Sequence, residues 1–492
     1  MVSLVAAYPE VTGNWIHGAE RPACAGATFD KLAPHDGQRL GAVARSQADD
    51  VEAAVQAARA AFPAWAEVPP VQRGAILHKV CNALEARAAE MAAVVALETG
   101  KSPKEALGET GGAIALGRFF AGEGQRLYGR TATSGVANRH VGMVREPCGV
   151  AALIIAANTP IANVAWKVFP ALICGNAAVL KAAEDTPLTA TLFARIASDA
   201  GLPAGALNVV QGLGQEAGRP LVEHPGIDVL SFTGSTAVGK WIAETAGKRL
   251  LKVSLELGGK NPFVVCEDAD LDNAVRWAAL SAFSNAGQRC ASGSRLIVCA
   301  DIYDRFRDAL VAATGKLRVG PSDDDDLGPV INQRQLDNMV KAVAQAKAAG
   351  AKVLAGGARM NGSAHAAGFY MAPTLIEDPR PDDEISTREL FGPITCLYRV
   401  PDFNAALAFA NSSPYGLTAA IHTRDLNRAM TFARRVRAGI ASINGGTYGS
   451  EPHMPFGGVK QSGNGTREPG TEALDIYSNL KNVVVNFDPS QV

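Results

Sequence analysis

Gly149-Val150-Ala151-Ala152-Leu153-Ile154-Ile155 is an unbroken apolar run of strand length with no polar face. A strand apolar on both sides is buried on both sides, the habit of a parallel sheet covered by helices. The pattern repeats outward from it. Residues 163 to 174 read as a helix and Ala177-Ala178-Val179-Leu180-Lys181 as the next strand. Thr186-Pro187 opens a further helix, with Thr186 as cap and Pro187 in the first turn. Leu207-Asn208-Val209-Val210 and Val229-Leu230-Ser231-Phe232 continue the alternation. Strand, helix, strand in succession predicts an α/β fold with ligands at the carboxyl ends of the strands.

At 492 residues the chain is too long for one ordinary domain, so two or three are expected. A hydrophobic fraction of 47% supplies ample core, and 19% charged residues give a polar surface. The net charge of −1 offers no footprint for nucleic acid or a membrane surface. No segment reaches about 18 strictly apolar residues, so no membrane span is expected. Met1-Val2-Ser3-Leu4-Val5-Ala6-Ala7 lacks the basic start and long apolar stretch of a secretory signal. The 8 cysteines are scattered without a CxxC pair. That argues against zinc and a disulfide framework, and for a reducing, cytoplasmic compartment. No metal is expected. His78 and Cys81, three apart, read as helix packing.

Upstream, Asn14-Trp15-Ile16 reads as a strand before a turn at His17-Gly18. A helix capped by Asp49 or Asp50 should stop at Pro63, and longer helices are expected over 71–97 and 103–125. Val136 to Val144 reads as a strand. Downstream, Pro262-Phe263-Val264-Val265-Cys266 and Ser294-Arg295-Leu296-Ile297-Val298 announce a second α/β unit.

Two stretches carry chemistry. In Asn285-Ala286-Gly287-Gln288-Arg289-Cys290-Ala291-Ser292-Gly293 a cysteine sits among small and polar residues that allow close approach to its sulfur. Only a thiolate is a good nucleophile, so a reactive cysteine wants a polar, partly open setting; a small buried hydrophobe is the plainer alternative. In Leu255-Glu256-Leu257-Gly258-Gly259-Lys260 a carboxylate lies between leucines. Apolar neighbours raise a carboxyl pKa toward the range useful to a general base. A cysteine nucleophile and a glutamate base could take an aldehyde through a thiohemiacetal and a thioester, then hydrolyse it.

With both stretches in this order and at this separation, the chain resembles the aldehyde dehydrogenase superfamily over about residues 144 to 463. The resemblance implies a Rossmann-like dinucleotide-binding domain (1–127 and 147–258), a second α/β catalytic domain (259–463) and a small β oligomerisation element (128–146 and 464–492). It implies NAD-dependent oxidation of an aldehyde to its acid, with Cys290 as nucleophile and Glu256 as base. Asn158, in Ala156-Ala157-Asn158-Thr159-Pro160, matches the oxyanion-stabilising amide, and Lys167 matches a lysine near the cofactor that the resemblance counts with the catalytic residues; an ordinary surface charge on a helix is its plainer reading. Phe232-Thr233-Gly234-Ser235-Thr236-Ala237-Val238-Gly239 matches the pyrophosphate segment. Alone it would read as a tight βα turn, being neither GxGxxG nor a P-loop.

Lys181 and Glu184 fall at the ribose position. An acidic group there would repel a 2′-phosphate, so NAD is expected over NADP. Leu257 and Gly258 border the cofactor by the same resemblance. Glu389 would hold the nicotinamide ribose and Phe391 would pack near the nicotinamide. Phe456 would form an aromatic wall for substrate. Ala157 and Ala182 depart from the family's usual tryptophan and proline. The family's hairpin pairs with a neighbouring subunit and has the run Asn482 to Phe487 as its usual partner, which implies a homodimer or homotetramer.

Arg289 suggests a carboxylate-bearing semialdehyde, with Asn163, Arg295 and His453 as distant candidates; bracing the cysteine loop or facing solvent is the plainer reading of Arg289. Two other functions fit the same fold. One is a coenzyme-A-acylating relative, whose thioester passes to a thiol. The other is a non-catalytic binding protein. Glu256 speaks against the first, and intact Cys290, Glu256 and Asn158 against the second.

Overall fold

The computed structural model describes residues 8–491, so the expectation for Met1 to Ala7 lies outside the described residues. The fold is α/β and is built around two seven-stranded sheets. In the first, five parallel strands run in the order Lys252–Glu256, Val229–Thr233, Val150–Ile154, Ala177–Lys181, Leu207–Val210. Asn14–Ile16 and Ala19–Arg21 extend it antiparallel. Every residue of Val150–Ile154 and Ala177–Lys181 is buried, as the apolar runs require. The chain leaves Val150–Ile154 toward one side and later returns on its other side as Val229–Thr233, creating the switch point where a crevice opens.

The second sheet is parallel except at its Lys352–Ala355 edge and orders Lys352–Ala355, Thr374–Glu377, Ile394–Val400, Gly293–Cys299, Asn261–Val265, Thr418–His422, Ile440–Ile443. Only Leu257-Gly258-Gly259-Lys260 separates the last strand of the first sheet from Asn261–Val265. The carboxyl end of one sheet is thereby held against the amino ends of the other.

A three-stranded antiparallel arm stands apart, ordered Ser478–Asn486, Arg139–Pro147, Arg130–Ala132. Arg139–Pro147 pairs residue for residue with Ser478–Asn486 of the same chain. Just before that strand, Ala473, Leu474, Ile476 and Tyr477 pack into the core under the first sheet.

Several local expectations change. Pro63 does not end its helix, which runs Ala48–Glu67 with Gln47 at the cap position; Asp50 instead accepts from the Gln47 amide at 3.0 Å. The turn beyond Pro63 is held by buried Trp65, whose indole donates to Leu172 O at 3.1 Å, so tertiary packing outweighs the lost backbone bond. The long helix over 71–97 is two, Pro70–Ala86 and Ala88–Thr99, broken at Arg87. Thr186 stands at the cap position of Pro187–Asp199, but its hydroxyl is buried without a partner. Buried Glu98 does that work, accepting from Leu188 N at 2.7 Å and Thr189 N at 3.0 Å. A carboxylate in place of a hydroxyl also answers the positive end of the helix dipole.

Candidate active site

Cys290 lies in the turn that joins the helix Leu271–Phe283 to the strand Gly293–Cys299. The turn is tightly determined. Asn285, Ala286 and Gly287 all have φ between 52° and 66°, in the left-handed region. Only Gly287 has no steric objection to that; a Cβ there would stand 2.1 Å from Gly392 O. The strain of the other two persists because the surroundings over-determine the loop. Asn261 Nδ2 donates to Cys290 O at 2.7 Å and to Ser292 O at 2.8 Å. Thr447 Oγ1 donates to Ala291 O at 2.6 Å, and Gln288 Oε1 accepts from Ile331 N at 2.9 Å. Asn261 is the first residue of its strand, so the second sheet itself positions the nucleophile's backbone.

Asn158 ends the loop that follows Val150–Ile154. One hydrogen of its amide goes to Gln288 O at 2.9 Å, which places the Asn158 amide against the cysteine loop. Its oxygen accepts from Asn163 Nδ2 at 3.4 Å, and its carbonyl accepts from Lys101 Nζ at 3.0 Å and Asn285 Nδ2 at 3.2 Å. Asn163 therefore orients Asn158, while Lys101, buried and paired with Glu109 at 2.5 Å, holds its backbone. Glu109 in turn accepts from the amides of Ile161 and Ala162, at the start of helix Pro160–Ile173.

Glu256 is the last residue of its strand and is 4% exposed. Neither carboxylate oxygen has a hydrogen-bond partner. Burial raises its pKa well above the ordinary value; nearby Glu468 raises it further, while Lys167 and Arg467 pull it down. A carboxyl buried without a partner gains by meeting something polar, such as water. The Cys290 thiol is partly exposed, and loss of bulk water pushes it up to about 12. Glu389 and Glu256 add to the rise, and the Ala291 amide and Arg289 oppose it. The two carboxylates thus act electrostatically on the sulfur. Glu389 accepts from Gly259 N at 3.0 Å and is raised to about 7 by burial. A Cβ on Gly258 would stand 2.1 Å from its carboxylate, so the paired glycines let Glu389 in. Phe391 follows with a left-handed φ of 56°.

Lys167 is placed differently from the expectation. It lines neither cavity described below, and it is no surface charge. Its ammonium is fully buried, donating to Ser231 Oγ at 2.6 Å and Glu468 Oε2 at 2.8 Å. Ser231 and Tyr477 donate to the other Glu468 oxygen at 2.8 and 3.0 Å. Sequence reading missed Glu468 and Tyr477. The available signal was Lys167 itself, an ammonium on a helix apolar all round, which must have a buried anion.

Two cavities lie around the loop 155–159, one lined by Ile155, Ala156 and Ala157 and the other by Asn158 and Thr159 together with Cys290. One, of about 660 Å³, opens at the carboxyl ends of Val150–Ile154, Ala177–Lys181 and Val229–Thr233. Lys181, Glu184, Phe232, Gly234 and Ser235 line it, with Ala157 and Arg334. Lys181 Nζ is 3.6 Å from Glu184. Ser235 caps the helix Thr236–Gly247, accepting from Val238 N at 3.4 Å, so a helix N-terminus with first-turn amides borders the cavity. These features suit a dinucleotide: an anion-binding helix end for pyrophosphate and an acid–base pair for ribose. Leu257, Gly258, Glu389 and Phe391 do not line this cavity, and neither does Gly239; a Cβ on Gly239 would sit 2.4 Å from Leu257, so it permits close packing of the two. Ala182 donates its amide to Val210 O at 3.1 Å, a bond that the family's usual proline could not make.

The other cavity, of about 490 Å³, is lined by Cys290 and Asn158. Phe456 and Trp166 meet edge to face at 5.2 Å in its wall. Arg289 also lines it, stacked 5.1 Å over Tyr448. Arg295 lies elsewhere, its guanidinium serving the carbonyls of Lys260, Phe409 and Ala410. His453 is exposed.

A cavity suited to a dinucleotide, a second pocket lined by a cysteine, and a buried glutamate whose charge acts on that cysteine describe a nicotinamide-dependent dehydrogenase with a thiol centre. The model of the aldehyde dehydrogenase family matches residues 22–483, and the chain belongs to that family. It is 38% identical over 448 residues to α-ketoglutaric semialdehyde dehydrogenase of Bacillus subtilis, covering 91% of this chain and 92% of that one. It is 37% identical over 480 residues to the NADP-dependent succinate-semialdehyde dehydrogenase of Escherichia coli, covering 97% of each. The crystal structure of Staphylococcus aureus betaine aldehyde dehydrogenase with NAD+ superposes with a TM-score of 0.96 at 30% identity, covering 99% of this chain and 98% of that one. The protein is an enzyme that oxidises aldehydes with a nicotinamide cofactor.

Proposed function

We propose that Cys290 Sγ adds to the aldehyde carbon while its proton is lost to solvent, giving a thiohemiacetal oxyanion. The free amide hydrogen of Asn158 and the Cys290 backbone N–H would hold the developing oxyanion. Donors so placed are worth about 2.7–4 kcal/mol of barrier. When bound, the nicotinamide supplies the hydride acceptor that turns the thiohemiacetal into a thioester. Glu256 then takes a proton from water, which attacks the thioester carbonyl; the acid leaves, and Glu256 returns that proton to the Cys290 thiolate. Lys167 is a positioning residue in this scheme, fixing Glu468 and through it the field at Glu256. The observation that carries the scheme is the buried Glu256 carboxylate without a partner, beside the cysteine. Omitting coenzyme A tests the hydrolytic route: steady NADH formation with an aldehyde alone supports it, and strict dependence on added coenzyme A contradicts it.

NAD is the proposed cofactor, held by Lys181, Glu184, Phe232, Gly234 and Ser235, with Leu257, Gly258, Glu389 and Phe391 toward the nicotinamide. Glu184, at the mouth of the ribose position, supports NAD over NADP. A higher kcat/KM with NADP would overturn that preference.

The proposed domains are the dinucleotide-binding unit (1–127 and 147–258), the catalytic unit (259–463) and the arm (128–146 and 464–492). A homodimer or homotetramer is proposed because the arm's edge strand exposes Leu480, Val483, Val484 and Val485, and Phe487 just beyond it, by 39–55%. An apolar open edge calls for a cover. Light scattering at low micromolar concentration should show at least a dimer. A cytoplasmic location is proposed from eight unpaired cysteines. Among the described residues no helix is long and apolar enough to cross a membrane.

A further inference from the structure

The substrate cavity holds more charge than the reaction at Cys290 uses, and most of that charge is already committed. Lys101 is bonded to Glu109 and to the Asn158 carbonyl, and Glu109 to the amides of the following helix. Glu451, at the rim, is 74% exposed. That leaves Arg289 and Glu105.

Arg289 is oriented but not satisfied. Its guanidinium is stacked over Tyr448, which fixes its plane. Its Nε is sealed from solvent and has no acceptor. Glu105, the carboxylate within ion-pair range among the described residues, stands at 4.0 Å, beyond hydrogen-bond distance. Glu105 has its own support in the first turn of helix Pro103–Glu123, where the helix dipole favours an anion. Among the described residues Arg289 therefore makes no hydrogen bond that braces the cysteine loop, and its side chain is 29% exposed where it lines the cavity. A buried donor left without an acceptor is costly, and a planar fork is the geometry that takes a carboxylate through two bonds.

There is also room for such a group. Gly108 and Gly112, one helical turn apart on Pro103–Glu123, line the same cavity, and a Cβ at either would meet nothing within 4 Å. Glycine inside a helix costs about 1 kcal/mol relative to alanine, so the open wall is not a product of helix preference.

Building on the aldehyde oxidation proposed above, we propose that Arg289 is the specificity-determining residue of this cavity and that the substrate class is an aldehyde carrying a carboxylate at its far end. The carboxylate completes the hydrogen-bonding fork of Arg289 and displaces the long contact to Glu105. A cationic aldehyde would have to approach the same guanidinium.

The test compares a straight-chain aldehyde ending in a carboxylate with the methyl ester of that compound, in wild type, Arg289→Met, Arg289→Lys and Glu105→Gln. Wild type should prefer the acid. Arg289→Met should lower the acid-to-ester ratio of kcat/KM by about 10- to 100-fold, mainly through KM. Arg289→Lys should recover part of that loss, and Glu105→Gln should raise the ratio by removing a like charge. Rising salt should weaken the acid's KM in wild type and leave the ester's unmoved, a measurement that stands even if a variant fails to fold. An acid-to-ester ratio that is the same in all four proteins and insensitive to salt would overturn the assignment. Oxidation of neither compound by a wild type that oxidises another aldehyde would also overturn the assignment, whereas failure to form NADH with any aldehyde would overturn the proposed reaction.

Discussion

Glu256 and Glu468 are both buried carboxylates, and they differ in almost everything else. Glu468, fully buried, is met by Lys167, Ser231 and Tyr477. Glu256, about as deep, is met by nothing. The first arrangement satisfies a charge and so fixes structure: it ties the segment near the carboxyl terminus to helix Pro160–Ile173 and to the strand carrying Ser231. The second leaves a carboxyl that gains by meeting water, which is what a base for hydrolysis requires. Burial alone does not distinguish a structural acid from a reactive one. The hydrogen-bond partners do.

The sharpest way to break this comparison is to neutralise each acid. Glu256→Gln should slow thioester hydrolysis by about 10²- to 10⁴-fold, measured as steady-state NADH formation with the initial burst retained. Glu468→Ala should act on the fold, costing about 3–5 kcal/mol in denaturant unfolding because it strands the Lys167 ammonium. If Glu468→Ala were as stable as wild type, the structural half of the comparison would be lost. Asn158→Ala tests the partner of the sulfur, with an expected fall of about 10²- to 10³-fold in kcat, including the burst.

A smaller effect concerns pH. The folded-state pKa of Glu256 lies above its unfolded value. Its contribution to stability is therefore present at low pH and is lost as pH rises through the folded value. Hydrolysis has the opposite sense, failing as pH falls through that same value and the base takes up a proton. Glu256→Gln should consequently melt at or above the wild-type temperature at alkaline pH, and lose the acid limb of the hydrolysis profile. Smaller still, Gly111→Ala, with open space around the new methyl, should raise stability by up to about 1 kcal/mol.

Which of these features the sequence reveals follows from how locally each is encoded. The buried strands are legible because burial on both faces leaves an apolar run, and Cys290 and Glu256 because each sits in a distinctive stretch. The cluster around Glu468 is not, since its partner Lys167 is 301 residues away and Tyr477 follows no pattern that marks it as a donor. Glu98 in place of Thr186 at a helix start is hidden for the same reason: its contacts span 90 residues. Pro63 misleads because a local rule about helix breaking is overridden by Trp65 packing beyond it. The setting of Arg289 could be named from sequence only as alternatives, because stacking on Tyr448 and the missing acceptor are properties of the assembled cavity.

The central claim is that Cys290 carries the acyl group and Glu256 releases it. Intact mass spectrometry of Glu256→Gln, mixed with NAD and an aldehyde that wild type oxidises, tests it most directly. The account predicts an acyl adduct on the Cys290 peptide, formed together with about one equivalent of NADH and persisting for many wild-type turnover times. An adduct-free protein that continues to turn over at the wild-type rate would contradict it.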